Sequence, residues 1–467
     1  MEFPPALPED GLPAGQRAWA MATIALTISL AVLDAAAVNV ALPTIARDLH
    51  ATPMAAIWVV NAFQLAVMVS LLPLASLGDS LGYARVYRAG LAIFTAGALA
   101  SFACAFTGSL ALLTVARVAQ GFGAAGIMSV NTALVRVIHP RDRLGRGLGM
   151  NALIVAISSA AGPTVAAGVL AIASWPFLFA IDIPFGIAAL VIARRTLPDS
   201  AGTGHRFDMP SALLNALAFG LLITAISGFA HGLGARLAGL ELLGAAITLA
   251  LLVERQRAKT APLFPIDLLR RADFALAVGT SVGAFGAQTL ALVSLPFFLQ
   301  GPLGRNQVET GLLMSAWPAS LALVAPISGR LADRYPPGIL CGIGLGAMLA
   351  GLLALAQLPA QPTGLDIVWR MGICGIGFGL FQSPNNRAML AAAPAGRSGG
   401  ASGMLSTARL TGQTVGAALV ALVFALGGTD AARVTLLLAA SFSATGAVVS
   451  SVRLARPGQR AAQQEAD

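Results

Sequence analysis

The chain has 467 residues, of which 57% are hydrophobic and only 10% charged, with 51 glycines and 26 prolines. Soluble domains carry nearer 25% charged residues, so the polar share here is too small to cover a water-exposed fold. Disorder, coiled coil, collagen and a secreted disulfide scaffold are excluded together, and a polytopic membrane protein remains. The net charge of +9 falls in short clusters between apolar runs rather than in a basic stripe with interleaved aromatics, which sets nucleic acid aside as a partner.

A bilayer core of about 30 Å takes roughly 20 apolar residues at ~1.5 Å each. Met1 to Arg17 holds Glu2, Glu9 and Asp10, unlike the basic start of a signal peptide, and is expected to remain as a short cytoplasmic tail, 1–18. Hydropathy then predicts spans 1 to 6 at about 19–42, 54–77, 86–106, 109–131, 148–172 and 175–193. Spans 7 and 8 follow at about 210–230 and 237–254, the latter interrupted early by Glu241. Spans 9 to 14 are expected at about 274–299, 309–330, 338–358, 365–387, 402–425 and 431–452. Cys104, Cys341 and Cys374 lie inside these runs, without metal-ligand spacing, as small core hydrophobes.

Basic residues orient the spans. With the N-terminal tail inside, cytoplasmic segments hold clusters such as Arg85 and Arg88, Arg136 to Arg146, Arg194 and Arg195, Arg255 to Arg271, and Arg453 to Arg460. The outer loops hold Arg47, Arg236, Arg305 and Arg433, while Arg117, Arg370 and Arg409 fall within spans. An even number of spans puts both termini in the cytoplasm. Two longer, more polar loops, 194–208 and 254–273, divide the chain as six spans, two, then six. The expected units are an N-terminal bundle (19–193), a linker with two extra helices (194–258), a C-terminal bundle (259–455) and a cytoplasmic C-tail (456–467). Within them a turn repeats. Leu77-Gly78-Asp79-Ser80-Leu81-Gly82-Tyr83-Ala84-Arg85 follows span 2, and Gly329-Arg330-Leu331-Ala332-Asp333-Arg334-Tyr335 follows span 10, the second of the last six. Such a repeat points to a two-lobed transporter with its site between the lobes.

Four motifs make a resemblance specific. Gly329-x-Leu331-Ala332-Asp333-Arg334 is similar to the cytoplasmic loop motif of the major facilitator superfamily. The first-half copy is degraded, with Ala75 for the leading Gly and Ser80 for the Arg after Asp79, while Asp79, Gly82 and Arg85 remain. Arg117-x-x-Gln120-Gly121-x-Gly123-Ala124-Ala125 in span 4 resembles the family's intramembrane arginine motif. Gly162-Pro163-x-x-Ala166-Ala167-Gly168 in span 5 resembles its antiporter motif, with alanines where paired glycines are usual. Leu33-Asp34-x-x-x-Val38-Asn39-Val40-Ala41-Leu42-Pro43 in span 1 resembles the signature of its fourteen-helix drug:proton antiporter branch. The resemblance implies an all-α membrane protein with the major facilitator fold, two six-helix bundles and two extra central helices. It would sit in the cell's inner membrane and act as a monomer.

A charged side chain at mid-bilayer costs several kcal/mol and needs a partner or a task. Asp34 falls about 12 Å below the outer end of span 1, and Arg117 and Asp182 fall at similar depth in spans 4 and 6. All three can share one layer. Burial disfavours the charged form of a carboxylate and a guanidinium favours it, so a poised acid lets a proton and a lipophilic cation compete for one charge. The alternative is a fixed Asp34–Arg117 ion pair tying span 1 to span 4. Asp182 stands where the family more often has Asn, either as a second acid or as a polar cap near the Pro184 bend. Arg370 and Arg409 either bond helix ends and neighbours such as Gln382 and Gln413 or meet an anionic group of substrate, and Glu241 is expected to snorkel to water.

Asp79 with Arg85 and Asp333 with Arg334, beside Gly82 and Gly329, are candidates for a conformational latch at helix ends. Gly162 and Pro163 bend and pack span 5, and a part in antiport is implied only by the resemblance. No metal cluster or P-loop is present in the sequence and the four histidines are scattered, so an enzyme is not expected and no cofactor beyond a proton gradient is implied. The leading reading is proton-coupled efflux of hydrophobic, mostly cationic drugs or biocides by alternating access. An exporter of a specific endogenous metabolite, including an anionic one, is the alternative; a sensor or scaffold lacks the soluble domain it would need.

Overall fold

The computed structural model describes residues 11–140, 144–198, 207–230, 235–257, 266–332, 334–359, 361–392, 398–426 and 430–454. Among the described residues the regular structure is helical. Six long helices come first: α1 (Ala14–Asp48), α2 (Pro53–Leu81), α3 (Tyr83–Ala105), α4 (Leu110–Ile138), α5 (Leu144–Ile172) and α6 (Phe177–Thr196). A pair follows, α7 (Met209–Ala230) and α8 (Ala235–Arg257), then the one-turn α9 (Ile266–Leu269). The remainder is α10 (Ala272–Gln300), α11 (Gln307–Met314), α12 (Ala316–Leu331), α13 (Pro337–Ala356), α14 (Gly364–Ala391), α15 (Ser398–Leu426) and α16 (Ala431–Leu454).

Among the described residues thirteen segments are long and apolar enough to cross a bilayer, with α11 and α12 together forming one of them. Met209–Ala225 in α7 supplies a shorter apolar helix. Several helices overrun the spans that hydropathy predicts. α1 runs to Asp48 rather than to about 42, and α4 to Ile138 rather than to about 131. Hydropathy marks the part of a helix that lies in hydrocarbon, whereas the backbone ladder continues until a cap stops it. Span 10 is broken where one helix was expected. Ser315 separates α11 from α12 because Pro318, three residues on, lacks the N–H that would bond back to Met314.

Four of the helices that start at the end of the molecule away from Gly82, α2, α4, α11 and α14, share one device. Thr52, Ser109, Asn306 and Thr363 accept hydrogen bonds from Ala55, Leu112, Glu309 and Asp366 backbone N–H groups, at 2.8–3.3 Å. At the opposite end, the turn from α2 into α3 is made by Gly82 with φ of 100°, a conformation that side chains rarely adopt.

The packing repeats. In the first lobe α1 packs on α5 and α6, α3 on α4 and α6, and α2 on α4. In the second lobe α10 packs on α15 and α16, α13 on α14 and α16, and α12 on α14. Shifting from α1–α6 to α10–α16, with α11 and α12 as one rod, turns the first set of contacts into the second. The seams between lobes obey the same relation, α2 against α15 and α5 against α11 and α12. α7 lies on α2 and α15, with Asn215 Nδ2 donating to the Val69 carbonyl at 2.9 Å, and α8 packs on α7. Close helix contact depends on small residues here: a Cβ on Gly123 of α4 would fall 2.2 Å from the Phe94 nitrogen of α3.

Candidate functional site

Asp34 of α1, Arg117 of α4 and Asp182 of α6 meet inside the first lobe, at 4%, 1% and 3% relative exposure. Arg117 Nη1 donates to both carboxylate oxygens of Asp34, at 2.9 and 2.7 Å. The same nitrogen donates to Gln120 Oε1 at 2.7 Å, and Nε to the Val59 carbonyl of α2 at 3.3 Å. The guanidinium carbon lies 4.3 Å from the centre of the Phe63 ring and 5.5 Å from that of Phe179. Two aromatic faces and four oxygen contacts therefore hold a cation that the bilayer would otherwise reject.

Asp182 is buried near enough to Asp34 and Arg117 to feel both charges, and its Oδ2 has no hydrogen-bond partner among the described residues. One guanidinium thus stands beside two acids and bonds one of them, Asp34. In the same lobe Asn39, Asn61 and Gln64 also hold buried polar atoms without a partner. Three charged groups from distant stretches of chain converge in one dry layer, as their depths along spans 1, 4 and 6 suggest. Gln120, Phe63 and Phe179 were not singled out for this site from sequence. Gln120 and Phe179 each stand three residues from a charged member, on the same helical face, which is the signal that marks them. Phe63 carries no such mark.

The antiporter-like stretch of α5 is wedged between two helices. A Cβ on Gly162 would fall 2.4 Å from the Cβ of Ala36 on α1, and one on Gly311 of α11 would fall 2.7 Å from the Pro163 carbonyl. Polar bonds link the lobes at this end as well. Gln300 Nε2 of α10 donates to the Val40 carbonyl of α1 at 2.9 Å, and the Thr164 and Ser315 hydroxyls lie 2.7 Å apart.

At the opposite end, Tyr83 donates to Asp79 Oδ1 at 2.7 Å, and Arg85 is exposed. Gly329 has Ser383 Oγ as its nearest neighbour, 3.8 Å from a built Cβ, so packing does not demand a glycine there. Arg334 is exposed, and Asp333 lies outside the described residues. Arg370 bonds its own helix start rather than Gln382, with Nη1 3.1 Å from Asp366 Oδ1. Arg409 is half-buried in α15, and its Nε has no partner among the described residues. Glu241 is likewise half-buried, and its Oε2 is shielded and has no partner among the described residues. Arg453, assigned to a loop by the span boundaries, is a core residue: α16 extends past it, it is 2% exposed, and Nη1 donates to Asn385 Oδ1 at 3.0 Å.

Two pseudo-equivalent helical lobes joined along α2–α15 and α5–α11/α12, with a charge cluster inside one of them, define a multi-pass membrane transporter. Sequence comparison agrees. A model of the Major Facilitator Superfamily matches residues 24–417 and again 276–466, and the chain belongs to that superfamily. It is 53% identical to the uncharacterized transporter YebQ of Escherichia coli, over 98% of this chain and all of that protein. It is 33% identical to the multidrug resistance protein Stp of Mycobacterium tuberculosis, over 84% of this chain and 73% of that one. Identity to the riboflavin transporter RibZ of Clostridioides difficile is 29%, over 86% and 87%.

Proposed function

We propose that this transporter exports hydrophobic, mostly cationic drugs or biocides in exchange for protons, with Asp34, Arg117 and Asp182 as the coupling site. The observation that carries the reading is the charge count of the buried cluster. Arg117 neutralises one carboxylate, which leaves the other for a proton or for the positive charge of a substrate, but not for both. Binding of the cation then releases the proton, and return of the proton releases the cation. No cofactor is needed beyond the proton gradient, and the chain works as a single unit. The multidrug resistance protein Stp, matched over most of both chains, supports drugs as the cargo.

The positive-inside rule places the Gly82 end, with Arg85, Arg88, Arg194 and Arg195, in the cytoplasm of the cell that carries this chain in its inner membrane. Both termini then lie on that side. The hydrogen bonds of Gln300 and Thr164 join the lobes at the outer end, which suits a conformer that an exporter loads from inside. Asp79, Gly82 and Arg85, with Gly329, Asp333 and Arg334, act as the latch that holds the inner side in the other conformer. Gly162 and Pro163 let α5 rock against α1 and α11 as the lobes exchange partners.

The test is Asp34→Asn, assayed by pH-gradient-driven movement of fluorescent cations in inverted vesicles at matched expression. The expected outcome is loss of gradient-driven transport with exchange of substrate for substrate retained; unchanged driven transport sinks the proposal. A second reading, export of a specific metabolite that includes an anionic group, draws on the unpartnered Nε of Arg409 and on the similarity to a riboflavin transporter. Susceptibility profiling of a deletion strain separates the two, since the metabolite reading expects no change across cationic compounds.

A further inference from the structure

On the flank of the first lobe, α3 packs against α6. They touch at Gly186, where a Cβ would fall 2.3 Å from Thr95 Oγ1. Nearer the Gly82 end, small side chains leave a recess of about 450 Å³ lined by Arg88, Ala89, Ala92, Leu190 and Arg194. Ala89 and Ala92 are exposed, and the surface continues along the two helices through exposed Ile93, Ile187 and Val191. The recess is therefore basic at its head and apolar along its length. It lies on the lobe's outer surface, separate from the buried Asp34–Arg117–Asp182 cluster.

This pattern has one natural occupant in a membrane. Arginines at a helix end reach toward the headgroup layer while their stems lie along apolar surface. A guanidinium matches phosphate oxygens in a forked pair of charge-assisted bonds, and basic pockets between transmembrane helices take anionic headgroups. Arg194 belongs to the last turn of α6, and Arg195 beside it is also exposed, so the local field favours an anion. We propose that the recess binds an anionic phospholipid. Its phosphate sits between Arg88 and Arg194, and one acyl chain lies over Ala89, Ala92 and Leu190 toward Ile93 and Ile187. A free phosphate would use the head of the site and leave the apolar wall exposed, which is why the lipid is the occupant.

The test is native mass spectrometry of the full chain released from mixed micelles containing phosphatidylglycerol or phosphatidylcholine. The intact protein is expected to retain phosphatidylglycerol in preference to phosphatidylcholine. Arg88→Gln/Arg194→Gln should lower its apparent affinity for phosphatidylglycerol about tenfold or more, the scale set by two interfacial arginines. Arg270→Gln/Arg387→Gln, which removes equal charge from the same end of the second lobe, should not. Ala89→Leu/Ala92→Leu keeps both arginines and fills the recess, and it should weaken retention as well. Equal retention of the two lipids, equal loss in both arginine pairs, or full retention by the filled variant overturns the proposal. So does displacement of the lipid by inorganic phosphate alone at low millimolar concentration, which would make the site a simple anion site.

Discussion

α4 and α14 hold equivalent places in their lobes, and each carries an arginine in its second turn, yet the two arginines do different things. Arg117 of α4 is buried and bonded to Asp34 of another helix, with Asp182 beside it. Arg370 of α14 stays with Asp366 of its own first turn, its side chain 14% exposed, over the ring of Trp369 at 4.4 Å. Where α10 crosses α14, the interior is instead filled by Phe285, Phe378 and Phe381, with ring centres 5.1–6.3 Å apart. The repeat has kept the packing and changed the polar groups inside it. One lobe buries two acids beside one arginine, and at the equivalent place the other buries aromatic rings, its own buried arginine, Arg453, lying at the far end of α16 against Asn385.

The sharpest way to break this contrast is Arg117→Leu. It leaves two carboxyls facing each other in a dry layer without their cation. The expected cost is about 3–5 kcal/mol of stability, the scale for removing one partner of a buried ion pair, together with loss of gradient-driven transport. Asp34→Asn/Arg117→Leu should recover most of the stability and none of the transport. Thermal unfolding in detergent, followed by labelling of Cys341 and Cys374 as they leave the core, reads the first quantity. If Arg117→Leu unfolds at the temperature of the parent protein, the cluster is not the charge-balanced unit that its geometry suggests.

Much of this site was legible before any coordinates. Charges inside apolar runs are rare enough to stand out, and depth along a helix follows from counting residues, so Asp34, Arg117 and Asp182 could be placed in one layer. Partners that carry no charge could not be found that way. Phe63 reads as one more core residue until Arg117 is seen over its ring. Arg453 misled for a related reason: an arginine at the edge of an apolar run reads as a loop residue, and only the side-chain Oδ1 of Asn385 from another helix makes it part of the core. The break at Ser315 was equally hidden. Proline inside a membrane helix can be absorbed by neighbours, as Pro43 and Pro296 are, or can end the ladder, and packing decides which.

A second test moves to the aromatic side. Phe378→Ala empties space between α10 and α14 and should cost about 3 kcal/mol of stability, toward the lower end for burying no new polar group. Transport per folded molecule should keep its dependence on the pH gradient, because no titrating group has been touched. If the gradient dependence disappears along with the stability, the second lobe takes part in coupling and the division of labour proposed here is wrong.

The smallest expected effect discriminates most finely. Arg370→Gln removes the guanidinium that answers, by position, to Arg117. Its ion pair with Asp366 spans one helical turn, and Asp366 is 35% exposed, so water already screens the pair. Exposed pairs of this kind contribute little to stability. Asp366 also keeps its capping-box bonds with Thr363, at 3.0 and 3.2 Å, which do not need the arginine. The helix start should therefore survive, the unfolding temperature should barely move, and transport of cations should match the parent protein. Loss of transport of any substrate in Arg370→Gln, at unchanged stability, would show that the second lobe's arginine recognises cargo. Such a result would transfer part of the chemistry from the first lobe to the second.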